Sequence, residues 1–138
     1  MFDRSYSLGF SNFSGIGPIK FEKLIREFGS AKAAWYAPKE KLESIIGKSY
    51  AEKFEAFKKE FDFDSYLKRL VKQKISFVCL NEKEYPQLLK KIPNPPFVLY
   101  VKGNTKILHS FPPEAGRQDD NRVIAIVGTR HITSYGRE

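Results

Sequence analysis

The first half of the chain repeats apolar residues at the spacing of amphipathic helices. In the segment FSGIGPIKFEKLIREFGS (13–30), four apolar residues fall at i, i+3, i+4 and i+7, which places them on one face of a helix. These residues are Phe21, Leu24, Ile25 and Phe28. Pro18 stands where a first helical turn tolerates proline, and Gly29 follows the last apolar position as a helix stop. The pattern predicts an amphipathic helix between Pro18 and Gly29.

A second segment of the same kind follows. The stretch LESIIG (42–47) ends in a glycine, and SYAEKFEAFKKEF (49–61) then carries aromatic residues at helical spacing. The aromatic residues are Tyr50, Phe54, Phe57 and Phe61. We interpret this stripe as core and not as a surface on which bases stack. Ser49 and Glu52 have the spacing of a capping box, which predicts that the helix begins there.

Two further helices complete a predicted helical unit. AKAAWYA (31–37) has the pattern of a short helix that ends at Pro38, and another amphipathic helix follows Asp64. Short helices joined by glycine turns indicate one compact domain. The sequence therefore predicts a helical domain of the helix-hairpin-helix or SAM-like type over residues 1–73.

The first glycine turn has the residues of a phosphate-binding hairpin. Ile16 stands between Gly15 and Gly17, so that it can point inward while the turn stays tight. Hairpins of this type present backbone N–H groups and a helix N-terminus, which suit anions. We name Gly15, Gly17 and Lys20 as possible phosphate contacts, with Gly47 as a weaker second turn. The alternative is that both turns only pack helices together.

The pattern changes to that of strands after residue 74. ISFVCL (75–80) and FVLYVKGN (97–104) are rich in β-branched and aromatic residues, and the proline-rich segment 81–96 between them excludes long regular structure. A polar loop then leads to VIAIVG (123–128), whose continuous apolar run is typical of a strand covered on both faces in a parallel sheet. Residues 74–138 are thus predicted to open an α/β domain.

The residues after the third predicted strand form a candidate anion site. Ligands bind at the carboxyl ends of strands in open α/β sheets, and Gly128, Thr129 and Arg130 follow such an end. Gly128 allows close backbone approach, Thr129 offers a hydroxyl, and Arg130 offers a planar fork for phosphate oxygens. Thr133 or Ser134 could cap the next helix. The alternative for Arg130 is a surface ion pair.

This tail lacks the glycine spacing of a dinucleotide site. The G-x-G-x-x-G spacing is absent, because the glycine after Gly128 is Gly136. A strand covered on both faces also needs more neighbours than the chain supplies. We therefore expect no nucleotide cofactor, and we expect the remainder of the domain to lie beyond Glu138.

Composition narrows the classes of function. Lys and Arg number 24 against 16 Asp and Glu in 138 residues, which gives a net charge of +8 and a sequence pI of about 9.5. Such an excess favours contact with phosphate groups, although proteins that bind no nucleic acid share it. No apolar run approaches the ~18 residues that span a membrane, and the N-terminus lacks a secretory signal. We expect a cytoplasmic protein with no membrane contact.

Metal and covalent chemistry have no support in the residue pattern. His109 and His131 lack partners at ligand spacing, and Cys79 lies inside a predicted strand, where it is expected to be a small core residue. No Ser/His/Asp set, Cys/His pair or paired carboxylates can be assembled. We therefore name no catalytic residue and no metal site.

Three ordered motifs carry a family resemblance. YPQLLKKIPNPPFVLYVKGN (85–104), a loop, and then VIAIVGTRHITSYGRE (123–138) are similar to the DNA-processing protein A family, DprA/Smf. That family shows a Tyr-Pro-x-x-Leu-Leu stretch, a Pro-Pro-x-x-Leu-Tyr-x-x-Gly strand and a V-G-[ST]-R…T-x-Y-G turn. The glycine-hairpin helices match the helical domain that precedes these motifs in many members.

The resemblance implies an extended Rossmann-like domain that binds single-stranded DNA without base preference, protects incoming DNA in natural transformation and loads the RecA recombinase. It implies a protein that is not an enzyme and needs no cofactor. The arginine of the family's basic pocket corresponds to Arg130, Gly128 and Thr129 shape its turn, and Thr133 and Gly136 belong to the same motif. The surfaces for RecA contact and self-association would lie beyond Glu138.

Two other interpretations remain open from the residues. A nucleotide-phosphate-binding enzyme of the lysine-decarboxylase-like (LOG) class would share a Rossmann-type core and glycine-bounded phosphate turns. The N-terminal hairpin helices and the Tyr-Pro and Pro-Pro segments disfavour it. The third interpretation is a helical interaction module in which the first 73 residues act alone.

Overall fold

A computed structural model describes residues 3–103 of the chain. Within this range six helices precede the first of two strands, and a seventh short helix lies between the strands. The elements are α1 (Asp3–Ser11), α2 (Pro18–Phe28), α3 (Ala31–Trp35), α4 (Lys39–Ile46), α5 (Lys48–Glu60), α6 (Phe63–Lys72), β1 (Ile75–Cys79), α7 (Gln87–Lys90) and β2 (Val98–Lys102). None of the described helices is long and apolar enough to cross a membrane.

Helix α2 confirms the prediction made from its periodicity. It begins at Pro18 and ends at Phe28. Gly29 then takes a left-handed conformation with φ of 78°, and its N–H donates to the carbonyl of Ile25. Glycine adopts this conformation without steric cost, which is why it closes the helix. The apolar face of α2 buries Phe21 and Leu24 in the core.

The starts of the other helices follow local capping chemistry, with one correction. Asp62 caps α6, where its carboxylate accepts from the N–H groups of Asp64 and Ser65. Hydrogen bonds from the Ser65 side chain and backbone lower the pKa of Asp62. The predicted capping box of Ser49 and Glu52 is wrong, because α5 begins one residue after Gly47 and both residues lie inside the helix.

An aromatic cluster holds the helices together. The ring of Phe10 on α1 stacks on Phe54 of α5 with centroids 5.0 Å apart, and it meets Trp35 of α3 edge-on at 5.3 Å. Phe10 and Phe54 are fully buried. The prediction that the aromatic stripe of α5 belongs to the core is confirmed for Phe54, whereas Tyr50 remains 44% exposed.

Close packing around Trp35 depends on a helical glycine. A Cβ on Gly9 would lie 2.6 Å from the indole of Trp35 and 2.9 Å from the ring of Phe63. No real Cβ approaches another heavy atom this closely, so a larger residue would push α1 away from α3. Gly9 therefore sets the distance at which α1 meets the aromatic cluster.

The two strands form an antiparallel pair that packs on the helices. Ile75 pairs with Lys102 and Cys79 pairs with Val98 at the two ends of the ladder. Phe97, just before β2, stacks on Phe21 of α2 with centroids 3.9 Å apart. Both strands were predicted, but their pairing was not. The described part is a mixed helical fold with a small antiparallel sheet, compatible with the α+β class; the predicted Rossmann-like strand at 123–128 lies outside the described residues.

The segment between the strands folds back on the sheet. It contains only the one-turn helix α7, as its prolines predicted. Tyr85 is buried, and its hydroxyl donates to the carbonyl of Pro96 at 2.8 Å. The carboxylate of Glu82 accepts from the N–H of Cys79 and lies 3.3 Å from Nε of Arg4 on α1. These contacts tie the connection to β1 and to the first helix.

The turn before α2 packs against the first turn of α5. A Cβ on Gly15 would lie 2.4 Å from the ring of Tyr50 and 2.5 Å from the ring of Phe13. A Cβ on Gly17, two residues later, would meet no atom within 4 Å. The two glycines of the turn therefore differ: Gly15 is required by close approach, and Gly17 is not.

We expect Phe10→Ala to destabilise the protein by about 3–5 kcal/mol, because it removes a large buried ring and leaves a cavity. Urea unfolding followed by circular dichroism measures this loss. Val71→Ala is the matched control, since Val71 is 76% exposed on α6 and its truncation should change stability by less than about 0.5 kcal/mol. Equal effects of the two substitutions would contradict the described core.

Gly15→Ala should cost about 2 kcal/mol of unfolding free energy, because the new methyl group overpacks the turn against Tyr50 and Phe13. Gly17→Ala changes the same residue type in the same turn and should cost about 0.5 kcal/mol, the difference between glycine and alanine at a helix N-cap. Thermal unfolding of both variants checks the order. A larger loss for Gly17→Ala would show that the turn packs differently.

Candidate nucleic-acid interface

Two helices begin directly after a glycine and have no side-chain cap. Gly17 is the N-cap of α2 and Gly47 is the N-cap of α5, and neither helix has an acidic residue in its first turn. Each glycine carbonyl accepts the first helical hydrogen bond, from Phe21 and Ala51 respectively. Pro18 carries no N–H, so the open donors at the start of α2 are the N–H groups of Ile19 and Lys20. These donors, and those of the first residues of α5, have no side-chain cap among residues 3–103, which is the arrangement that accommodates an anion.

The ammonium group of Lys20 joins the two turns. It donates to the carbonyl of Gly15 at 3.2 Å and to the carbonyl of Ile46 at 3.3 Å. It also lies 3.8 Å from the ring centroid of Tyr50, which is cation–π distance. Lys20 therefore neutralises the negative carbonyl end of α4 and fixes the two helix starts beside each other.

The structure brings the three hairpin residues named from the sequence into one turn. Gly15 is buried under the ring of Tyr50, Gly17 is exposed at the helix start, and Lys20 is half-buried between the turns. The ammonium group of Lys20 already donates to two carbonyl groups. Its positive charge would therefore act on a ligand from beneath the turn and not through direct contact. The exposed N–H groups, and not an extended lysine, are what the surface presents directly.

Two residues of this junction were not predicted from the sequence. Ile46 supplies a carbonyl to Lys20, and Tyr50 supplies the ring on which both Lys20 and Gly15 rest. A signal for both was present: Ile-Gly occurs at 16–17 and again at 46–47, each time directly before a helix. In that alignment Lys20 and Tyr50 occupy equivalent positions, three residues after the glycine.

The predicted phosphate turn of the tail lies outside the described residues. This holds for every residue named there: Gly128, Thr129, Arg130, Thr133 and Gly136. Their role as a DNA and phosphate site stays a prediction. So does the division of the chain at residues 73 and 74.

Neither a reactive thiol nor a metal-binding cluster is found among residues 3–103. Burial raises the pKa of the Cys79 thiol to about 12, so at neutral pH it is a neutral core group, as predicted from its place in a strand. Among residues 3–103 no group of three or more His, Cys, Asp or Glu side chains is arranged to hold a metal ion. The uncapped helix starts are therefore the site with the clearest chemical use.

Comparison with known proteins finds a family model and two curated relatives that match this chain. The family model described as DNA recombination-mediator protein A matches residues 76–138. Protein Smf of Synechocystis sp. is 28% identical over 138 residues, which cover 97% of this chain and 32% of that protein. The DNA processing protein DprA of Bacillus subtilis is 38% identical over 66 residues, which cover 48% of this chain and 19% of that protein. No solved structure matches.

The chain thus spans about a third or less of the curated relatives it matches. The matched segment contains the motifs that carried the resemblance in the sequence, from the strand β1 through the V-G-T-R turn. On these matches residues 76–138, less than half of the chain, are similar to the DNA-processing protein A (DprA/Smf) family.

Proposed function

We propose that this chain is part of a DNA-processing protein that binds single-stranded DNA and acts in recombination. The observation that carries the proposal is the match of residues 76–138 to the recombination-mediator family. The net charge of +8 supports it, since a basic protein gains affinity for a polyanion by releasing counterions. Binding, not catalysis, is the proposed activity, and it requires no cofactor.

The proposed primary contact is the turn at Gly128, Thr129 and Arg130. An arginine guanidinium donates hydrogen bonds to two phosphate oxygens at once, and a glycine beside it allows the DNA backbone to come close. Contacts of this kind hold the phosphates and carry no base information. Binding through this turn would therefore be similar for strands of different base composition.

The uncapped starts of α2 and α5 are the proposed second contact. Each helix start carries a partial positive charge, and the two are held together by Lys20. Exposed glycines at Gly17 and Gly47 leave the N–H groups open to a phosphate oxygen. This arrangement supports the proposal that the helical part of the chain is of the helix-hairpin-helix type and touches DNA through its turns.

The wider role follows from the family and is also a proposal. In it, the protein protects incoming strands during natural transformation in the cytoplasm and delivers them to a RecA-type recombinase. Contact with the recombinase and self-association are part of the same proposal.

We expect the 138-residue chain to bind fluorescein-labelled oligo-dT with an affinity that falls as salt rises from 50 to 200 mM. Fluorescence anisotropy measures this dependence. Arg130→Ala should weaken binding about five- to tenfold and reduce the slope of log affinity against log salt by about 0.7, the value for one phosphate contact on a single strand. The loss should be equal on oligo-dT and on a mixed sequence. Salt-insensitive binding, or a loss confined to one composition, would contradict the proposal.

Gly17→Asp tests the hairpin contact by separating stability from binding. The new carboxylate accepts from the open N–H groups of α2, so thermal stability should stay equal or rise, while oligo-dT binding weakens at least threefold through repulsion of phosphate. Asn94→Asp makes the same charge change in the exposed connection between α7 and β2 and should leave binding within about twofold. Equal binding by both variants would show that the turn serves only to pack helices.

A further inference from the structure

The end of α6 concentrates positive charge more strongly than any other described element. The segment KRLVKQK (68–74) contains four basic residues and no acidic one. By contrast, α2, α4 and α5 each mix acidic residues with their lysines. Lys102, at the end of β2, pairs with Ile75 and so stands beside the end of this segment. We name Lys68, Arg69, Lys72, Lys74 and Lys102 the α6–β2 basic surface.

The cations of the α6–β2 basic surface face solvent. All five residues are exposed, and they form no ion pair with any residue in the described range 3–103. Lys68 and Lys72 stand one helical turn apart on the side of α6 opposite the buried Leu70, with Arg69 next to them. Lysines elsewhere, such as Lys39 and Lys58, do have carboxylate partners. This surface is therefore positive, and the carboxylate of Asp62 interacts with it only at longer range, through Lys68.

A fixed aromatic platform borders the same surface. The guanidinium of Arg69 lies over the ring of Tyr66, 4.7 Å from its centroid. The hydroxyl of Tyr66 donates to that of Tyr100 on β2 at 3.1 Å. Asn12, which directly follows α1, also donates to the Tyr100 hydroxyl at 3.1 Å, and Oγ of Ser11, the last residue of α1, lies 2.9 Å from it. The Tyr66–Arg69 stack is thus anchored by contacts from α1 and β2.

We propose that the α6–β2 basic surface and the Tyr66–Arg69 stack form a binding track for single-stranded DNA. The lysines would contact successive phosphates, and the outer face of the Arg69 guanidinium would carry a base. Proteins that bind single-stranded nucleic acid use these two features, a positive surface that follows the phosphate backbone and a planar side chain on which a base stacks. The proposal rests on the proposed function only for the choice of DNA as the polyanion, and it adds a surface distinct from the V-G-T-R turn and from the helix starts.

Helix stabilisation alone does not account for this surface. Cations in the last turn of a helix interact favourably with its C-terminal dipole, and this effect explains Arg69 and Lys72. It does not explain Lys74, which follows the helix in a left-handed conformation with φ of 56°, or Lys102 on the neighbouring strand. The pairing of Ile75 with Lys102 brings the basic residue of the strand beside the turn that follows the basic end of the helix, although the mutual repulsion of these charges opposes folding.

The test compares four forms of the 138-residue chain in fluorescence anisotropy with labelled oligo-dT from 50 to 200 mM salt. They are the unaltered chain, Lys68→Ala/Lys72→Ala, the control Lys41→Ala/Lys53→Ala and Arg130→Ala. Lys41 and Lys53 are exposed lysines on α4 and α5, so the control removes the same charge. The surface variant should reduce the salt slope by about 1.4, the value for two phosphate contacts. The control should leave the slope within about 0.3.

Arg69→Lys tests the stack separately. It keeps the charge and loses the planar group, and it should weaken oligo-dT binding about fivefold with an unchanged salt slope, as loss of one stacked base predicts. An abasic deoxyribose-phosphate strand of the same length is the control ligand, and Arg69→Lys should bind it as the unaltered chain does. Equal loss on both ligands would overturn the stacking role.

The outcomes separate this proposal from the proposed function. If Arg130→Ala weakens binding and the Lys68/Lys72 variant matches its control, the track is wrong while the proposed function stands. If the surface variant weakens binding and Arg130→Ala does not, the track stands and the V-G-T-R turn is wrong. Absence of salt-sensitive binding by the unaltered chain overturns both. Competition by poly-glutamate as effective as that by oligo-dT overturns the assignment of DNA to the track.

Discussion

The stack of Phe10 on Phe54 is the contact on which the described fold depends. It joins the first helix to the fifth, and Trp35 and Phe21 close around it from α3 and α2. Helices this short gain most of their stability from packing and little from propensity. The aromatic cluster therefore determines where each helix start and end is placed, and through them where the surface chemistry lies.

The junction of the two glycine turns follows from that packing. Once α1 and α5 are held by their stacked rings, the start of α5 lies beside the turn that leads into α2. Gly15 is then the residue that allows Tyr50 to close the gap, and Lys20 satisfies the carbonyls of Gly15 and Ile46. The turns that pack the helices together thus leave the starts of α2 and α5 exposed on the outside. The packing and binding interpretations of the hairpins describe two sides of the same turn.

The sequence predicted what depends on local pattern. The limits of α2 followed from Pro18 and Gly29, and β1 followed from a short β-branched run, because these signals act within a few residues. The start of α5 was misplaced, since the spacing of Ser49 and Glu52 fits a capping box equally well when both lie inside a helix. Local pattern does not distinguish those two cases.

Contacts between distant segments were not predictable in the same way. Nothing near Phe97 indicates that it stacks on Phe21, and nothing near Tyr100 indicates that its hydroxyl contacts both α1 and α6. Those contacts join residues more than 30 positions apart and depend on the whole fold. The basic segment 68–74 can be read from the sequence. Only the structure shows that Lys102 of β2 lies beside its end and that Arg69 stacks on Tyr66.

The two described surfaces differ in the kind of charge they offer. A helix start contributes about half an elementary charge, fixed in the backbone and effective only within its first turn. The α6–β2 basic surface contributes five whole charges on flexible side chains, effective over roughly 10 Å at 0.1 M salt. Whole charges draw a strand to the protein from a distance, whereas a helix start can act only on a phosphate already in contact. A strand that met both would be attracted first by the lysines and then fixed in position by the turns, which assigns attraction and positioning to different parts of one small fold.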